Sequence, residues 1–366
     1  MKIKLQREAL LRPLQSVIGV VERRQTLPVL GNVLLVADEQ GIALTATDLE
    51  VELVARTSTG VEEPGQITLP ARKLMDIMRN LPEGAEVSIN LDGDRAVITA
   101  ERSRFTLATL PATEFPTVED IGDTRPLLLP QPELRKLIEK THFSMALQDV
   151  RYYLNGLLLE LEPGRLRAVA TDGHRLALGE LEGDVAADEP SQVIVPRKGV
   201  QELLRLLDDT DEQVRVELGG NHIRVTLPEL RFTSKLIDGR FPDYQRVIPT
   251  VEDRIMQTDR EPLRQALVRA SILSNEKYRG VRFMLEPEQL RIQSNNPEQE
   301  QADEELGVDY QAEGMEIGFN ASYLLDALNA IDGDRIQMGL VDSNSSTVVE
   351  DPDDGRYRYV VMPMRL

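Results

Sequence analysis

Ala46-Thr47-Asp48 returns 124 residues later as Ala170-Thr171-Asp172, and the same step lands on Ser294-Asn295-Asn296. A long fixed period constrains architecture strongly, because each copy has to be one unit built to the same plan. Three further markers keep it. A helical stripe stands near the start of each copy: Leu10, Leu14, Val17, Ile18 and Val21; Leu134, Leu137 and Ile138; Leu263, Ala266, Leu267 and Ala270. These are the spacings of one helix face. Pro13 falls inside the first stripe and predicts a kink or a late start. A second helix opens at Pro70, Pro196 and Asn320, residues suited to a first turn or an N-cap. Hairpins then turn at Asp92-Gly93 and Gly219-Gly220, both hairpin sequences. The closing strands Arg104-Phe105-Thr106, Arg231-Phe232-Thr233 and Arg358-Tyr359-Val360 step by 127.

Each copy therefore reads helix, strands, helix, hairpin, strand. The expected fold class is α+β: three tandem domains, each an antiparallel sheet layer with two helices on one face. The boundaries fall at 1–121, 126–249 and 250–366, with short connectors between them.

Hydrophobic residues make up 41% of the 366, enough for packed cores without cross-links. The chain has no cysteine, which removes disulfides and thiol chemistry and fits a reducing cytoplasm. The start of the chain has no apolar leader, and no run of about 18 apolar residues occurs, so neither a signal peptide nor a membrane span is expected. His142, His174 and His222 are far apart and show no metal-ligand spacing, and no nucleotide-binding glycine loop is present. No cofactor is expected.

The net charge of −20 alone argues against a nucleic-acid partner. Its distribution argues the other way. The helical segments 1–24, 70–79, 129–141, 196–207, 259–273 and 319–331 hold 18 Lys or Arg against 9 Asp or Glu, a surplus of +9. The rest of the chain holds 24 against 53, or −29. One basic helix face is ordinary solvated surface. Five of six agreeing in sign suits a phosphate backbone bound without regard to sequence.

Asp172 and His174 could form a general acid/base pair. No Gly-x-Ser-x-Gly nucleophile accompanies them, and the other two copies lack the histidine. The aspartate-rich turns at 92–94, 208–211, 332–334 and 351–354 read as solvated turns rather than metal sites. Tyr152-Tyr153 could stack on bases, although paired aromatics entering a strand commonly pack into a core. The terminal Tyr359-Val-Val-Met-Pro-Met-Arg-Leu366 is apolar beyond what a strand needs, and its methionines suit an adaptable peptide groove.

Several long stretches resemble one family: Thr26–Asn32, Gln148–Gly156, Ala170–Leu176, Val195–Gly199, Lys235–Tyr244, Leu273–Lys277, Asn295–Glu300 and Val360–Leu366. Along its whole length the chain is similar to bacterial sliding clamps, the beta subunits of DNA polymerase III. The resemblance implies that two chains close head-to-tail into a six-domain ring, with helices around a hole that holds duplex DNA. It implies a non-catalytic processivity factor that tethers the replicative polymerase. The replicative polymerase, the clamp loader, other polymerases and repair proteins would dock through a short linear motif. Position by position, the DNA-facing residues would be Arg24, Arg72, Lys73, Gln148, Tyr152, Tyr153, Arg197 and Lys198. The peptide pocket would comprise Arg151, Leu154, Thr171, Gly173, His174, Arg175, Leu176, Pro242, Arg246, Val247, Tyr278, Asn320, Tyr323, Ser346, Val360, Val361, Met362, Pro363, Met364 and Arg365. Asn344 stands where the resemblance leads to an apolar pocket residue. The ring interface would join Phe105 and Leu107 to Ile272 and Leu273. Two other readings remain open at this point: a hydrolase using Asp172 and His174, and a peptide-binding scaffold that does not bind DNA.

Overall fold

The structure, a computed structural model, describes residues 1–21, 27–58, 60–118, 121–122, 124, 126–183 and 190–365. Six α-helices are present among the described residues: α1 (Arg7–Val17), α2 (Ala71–Asn80), α3 (Gln131–Glu139), α4 (Arg197–Leu206), α5 (Arg260–Ile272) and α6 (Ala321–Ala330). The stripes are buried as their spacing requires, except that Ile18 lies just past α1 and is half-buried. Helix α2 buries Ala71, Leu74, Met75 and Met78, and α5 buries Leu263, Ala266, Leu267 and Ala270. Helix α1 runs through Pro13 rather than starting after it. The Asn320 side chain caps α6 by accepting the Ser322 amide at 2.9 Å.

The residues before the first helix of each copy differ from expectation. Lys2–Gln6 is a strand, not helix, and the expected helical segments at 129 and 259 begin inside the strands Leu127–Pro130 and Ile255–Asp259. In Lys-Ile-Lys-Leu-Gln the burial alternates with period two, with Ile3 and Leu5 inside, and that alternation outweighs continuity with α1.

The chain forms two compact units, residues 1–132 with 198–236 and residues 133–197 with 237–366. The first unit holds a five-stranded sheet ordered Val61–Glu63, Lys2–Gln6, Glu86–Asp92, Arg95–Ala100, Ser103–Ala108. It also holds an eight-stranded sheet in which Leu230–Lys235 pairs antiparallel with Val51–Thr57, so that Phe232 faces Leu53. The second unit repeats this join. Arg175–Glu182 pairs with Asp354–Val361 in a second eight-stranded sheet, with Ala177 facing Tyr359. Its four-stranded sheet runs Gln301–Gly307, Gln289–Asn295, Gly280–Glu286, Met315–Asn320. Each eight-stranded sheet therefore joins strands of two successive sequence copies through one antiparallel edge pair.

The repeated Ala-Thr-Asp is a turn. The Thr47 hydroxyl donates to the Val51 carbonyl at 2.9 Å, and the Asp48 carboxylate accepts the Glu50 and Val51 amides at 2.9 and 2.7 Å. Thr171 donates to the Arg175 carbonyl at 2.6 Å, and Asp172 accepts the His174 and Arg175 amides at 2.9 and 3.1 Å. The residue after the aspartate is left-handed in both copies, Leu49 at φ 79° and Gly173 at φ 89°. A short acceptor that closes on amides two and three residues ahead explains why threonine and aspartate recur there.

Glu52 lies on Val51–Thr57 and is buried, with 2% exposure. It accepts the Val118 amide at 2.8 Å and pairs with Arg231 at 3.6 Å. Burial pushes its pKa up, against the opposing pull of the Val118 amide and of Arg231 and Arg224. A carboxyl with a raised folded-state pKa binds more protons folded than unfolded, so its contribution to stability falls as pH rises through that window. Glu52→Gln keeps an oxygen for Val118 and does not titrate. Its stability relative to wild type should improve as the pH of urea melts is raised from roughly 4 to roughly 7. A pH-independent difference would refute the assignment.

Candidate functional site

Within the second unit, the strand pair at Leu176 and Val360 forms the floor of a cavity of about 220 Å³. These two residues face each other in register and are 3% and 1% exposed. Leu154, Pro242, Val247, Met362, Tyr153 and Tyr244 complete the apolar wall, and Arg151, Thr171, Gly173, Arg175 and Asp243 stand at the rim. The floor belongs to a buried cluster with Leu158, Val169, Leu178, Ile194, Phe241 and Tyr244. A leucine-sized side chain seated here would gain roughly 2 kcal/mol from burial.

Arg175 organises one side of the rim. Its Nε donates to Asp172 at 3.1 Å, and Nη2 donates to the Phe143 carbonyl at 2.9 Å. Nη1 pairs with Asp326 on α6, and the guanidinium stacks 4.7 Å from the Tyr323 ring centroid. Burial raises the Tyr323 pKa, and Asp172 adds to the rise. On the opposite side Arg151 binds Asp149 at 2.9 Å and holds its carboxyl down at about 2. The C-terminal segment is tied by its backbone: Met362 N donates to the His174 carbonyl at 2.9 Å and Met364 N to the Gly318 carbonyl at 2.8 Å.

Ten of the expected pocket residues line this cavity: Arg151, Leu154, Thr171, Gly173, Arg175, Leu176, Pro242, Val247, Val360 and Met362. The others lie elsewhere in the same unit. His174 is exposed and contributes its carbonyl. Arg246 is exposed and paired with Asp243. Tyr278 lies under the Lys277 ammonium, and Asn320 is occupied as a cap. Tyr323 stacks on Arg175, and Val361 faces Arg175 and Thr347 in the sheet. Ser346 precedes the strand Thr347–Asp351, while Pro363, Met364 and Arg365 follow Met362. Asn344 is exposed in a turn on Asp342, away from the cavity lining.

Three lining residues were not expected there. Tyr153 was assigned to the DNA-facing set, and the packing reading of the tyrosine pair would have found it. Asp243 and Tyr244 sit in a connector that carries no periodicity.

Among the expected DNA-facing residues, Arg24 lies outside the described residues. Arg72, Lys73 and Lys198 are in the first unit; Gln148, Tyr152, Tyr153 and Arg197 are in the second. Arg72 and Lys73 line an open hollow of about 820 Å³ with Arg79. Several of these groups also hold the protein itself. Arg72 donates to the Val21 carbonyl at 2.6 Å, Arg197 to the Met145 carbonyl at 3.2 Å, and Lys198 pairs with Asp48. Gln148 is left-handed at φ 57° beside the exposed Tyr152.

Of the expected interface residues, Phe105 and Leu107 are half-buried on Ser103–Ala108, an edge strand, and Ile272 is 72% exposed at the end of α5 beside Leu273. The acid/base reading of Asp172 and His174 does not fit. The carboxylate receives two backbone amides and Arg175 Nε, which is the chemistry of a turn. Among the described residues no cluster of three or more potential ligands could hold a metal ion. No helix among them is long and apolar enough to cross a membrane.

Comparison with known proteins is consistent across the chain. The N-terminal, central and C-terminal domains of the DNA polymerase III beta subunit match residues 1–119, 128–243 and 245–365. The chain belongs to the DNA polymerase III beta subunit family. The beta sliding clamp of Pseudomonas putida is 56% identical over 367 residues, covering all of both chains. The solved DNA polymerase III subunit beta of Pseudomonas aeruginosa superposes with a TM-score of 0.98 at 55% identity, covering all of both chains. Another solved sliding clamp of that organism, bound to griselimycin, gives 0.96 at 55% identity, again covering all of both.

Arg175 is 14% exposed in its side chain, and its removal leaves Asp172, Asp326 and the Phe143 carbonyl without a shared donor. Arg175→Ala should cost ~2 kcal/mol of unfolding free energy, discounted for the partial exposure of Asp326. Arg175→Lys should recover less than half of that, because an ammonium cannot fork to three acceptors and stack on a ring. Full recovery by lysine in denaturant melts would show that charge alone matters.

Proposed function

We propose that the chain is a sliding clamp: two copies close into a ring around duplex DNA and tether the replicative polymerase, with no catalysis of their own. Family membership supports this, and so does the way sequence copies join. Leu230–Lys235 on Val51–Thr57 and Asp354–Val361 on Arg175–Glu182 are the same edge pairing made twice. The equivalent third pair would join Ser103–Ala108 of one copy to Gln301–Gly307 of another. Both strands are at sheet edges. In this register Phe105 falls opposite Ala302, and Arg104 opposite Asp303, of a second copy. Gln-Ala-Asp-Glu-Glu-Leu-Gly faces Ser-Arg-Phe-Thr-Leu-Ala, so the charges are complementary. Phe105, Leu107, Ile272 and Leu273 would be covered by that closure, which is head-to-tail.

Arg24, Arg72, Lys73, Gln148, Tyr152, Tyr153, Arg197 and Lys198 are the residues proposed to face DNA. Contacts of this kind are weak and salt-sensitive, and a topological hold makes weakness useful because the ring has to slide. The cavity over Leu176 and Val360 is proposed to receive a short linear motif from the polymerase, the clamp loader and repair proteins. Apolar side chains would fill the floor, and the rim cations and backbone groups would orient a glutamine. A cytoplasmic location is part of this reading.

Light scattering after size exclusion should give a dimer at micromolar concentration, and a monomer would count strongly against the ring. Arg104→Glu, which sets like charges against the acidic strand, should weaken the dimer by about tenfold or more. Clamp loaded on nicked circular DNA should stay bound through gel filtration and be lost when the circle is cut. Retention on the linear form would mean ordinary binding rather than encirclement.

A further inference from the structure

The two connectors between sequence copies are anchored in different ways. Phe115-Pro116 in the first corresponds to Phe241-Pro242 in the second, and Glu52 corresponds to Leu176. In the first unit the Val118 amide donates to Glu52 at 2.8 Å. That connector is thus held at the position which, in the second unit, is the cavity floor.

In the second unit the anchor lies elsewhere. Gln192, Glu160, Arg167 and Glu180 form one polar row across four neighbouring strands, each facing the next in register. The Tyr244 hydroxyl is set into the middle of that row. It donates to Glu160 at 2.5 Å and accepts from Arg167 Nη1 at 2.6 Å, while Gln192 donates to the other Glu160 oxygen at 2.5 Å. Burial of Tyr244, with the bond to Glu160, lifts its pKa to about 12, so the hydroxyl stays a donor at neutral pH. Burial alone would raise the Glu160 pKa; bonds from Tyr244, Gln192 and Arg167 more than cancel that and hold it below its usual range. In the first copy the positions of Glu160 and Arg167 are Val36 and Ala43, which also face each other and offer a hydroxyl nothing.

The anchored segment has space on both sides. Pro242, Asp243 and Tyr244 line the cavity over Leu176, and they also line a second cavity of about 220 Å³ whose far wall includes Leu158, Glu160 and Gln192. Phe241 and Tyr244 are buried in the same apolar cluster as Leu176, so packing holds the segment's rings, and the hydroxyl's two bonds add a fixed direction to a partition that has room on each side.

We propose that Tyr244 is a positioning residue of the docking site: its hydroxyl, latched between Glu160 and Arg167, holds the connector off Leu176 and keeps the cavity open for an apolar side chain of a bound peptide. This rests on reading that cavity as the docking site. Tyr244→Phe removes the latch and keeps the ring. If only the open form binds, the apparent affinity falls with the open fraction. A fluorescein-labelled synthetic hexapeptide with one glutamine followed by leucines should then bind about tenfold more weakly in stopped flow. The loss should lie in the association rate, with dissociation unchanged. Glu160→Gln, which keeps an oxygen acceptor for the hydroxyl, should retain the wild-type association rate. The chain has no cysteine, so a fluorine label on Gln245→Cys reports on the connector alone. It should give one resonance in the wild type and a second in the Tyr244→Phe background, which saturating peptide removes.

Leu176→Glu, the first copy's residue at the floor, separates the two claims. If it leaves peptide binding unchanged, the cavity is not the docking site and both claims fail. If it abolishes binding while Tyr244→Phe associates at the wild-type rate, the cavity reading stands and the latch is overturned. A Tyr244→Phe loss confined to faster dissociation would make Tyr244 a direct contact, and that also overturns the positioning role.

Discussion

The backbone groups at a sheet edge have to find partners, and an edge left open invites pairing with another chain. In this protein that constraint works as a joint. Leu230–Lys235 closes on Val51–Thr57 and Asp354–Val361 closes on Arg175–Glu182, so sheets that are four-stranded within one sequence copy become eight-stranded across two. A joint made of main-chain hydrogen bonds tolerates changing side chains. Phe232 faces Leu53 at one and Tyr359 faces Ala177 at the other, yet the register is the same. Gln301–Gly307 carries Asp303, Glu304 and Glu305 on its edge. Charge there discourages indiscriminate pairing and leaves complementary strands as partners.

The second organising element is the threonine–aspartate turn. Its own chemistry is local, but its carboxylates reach further. Asp48 pairs with Lys198 on α4, and Asp172 receives Arg175, whose guanidinium continues to Asp326 on α6. A side chain conserved between copies for a turn thus becomes the first link of a longer polar chain. Part of the basic surplus of the helices is spent internally, at Lys198 and at Arg72 and Arg197, which donate to backbone carbonyls. The exposed Lys73 lies beside Arg72 in the hollow of the first unit.

Most of the fold was legible because it is written three times. The helix stripes, the Asp92-Gly93 and Gly219-Gly220 turns and the closing strands each carry a local pattern that agrees with its copies. Lys2–Gln6, Leu129–Pro130 and Asp259 read as helix in the sequence because each runs directly into one, although they belong to short strands. The edge joints carry no local signal, since register between distant strands is fixed by the assembled sheet. At the site, Leu176, Val360 and Met362 were reached through the family resemblance and line the cavity together. Tyr244 escaped because its role depends on a row of residues from four strands, Gln192, Glu160, Arg167 and Glu180, that meet only in the sheet. The same holds for Asp172: beside His174 in sequence it suggests catalysis, and only the hydrogen bonds reveal that its oxygens face backbone amides.

Repetition raises the question of why one copy differs from the others at the position of Leu176. Register gives the equivalents. Leu176 faces Thr171, Glu52 faces Thr47, and Gln301 faces Asn295. The three copies thus place a leucine, a carboxylate and an amide at one site of one strand. An apolar side chain seated against the exposed Gln301 would strip water from a group that needs it, at a cost of roughly 1–3 kcal/mol, about what its own burial would gain, while Glu52 is already buried under its own connector. At Leu176 there is no such cost. In the first copy, moreover, Glu52 is satisfied by the Val118 amide, so the polar residue and the connector settle each other. Leucine at the floor removes that anchor, and a connector without an anchor would collapse onto the apolar surface. An open apolar cavity therefore requires two changes together: a leucine at 176, and a polar row away from the floor to which the connector can be fastened.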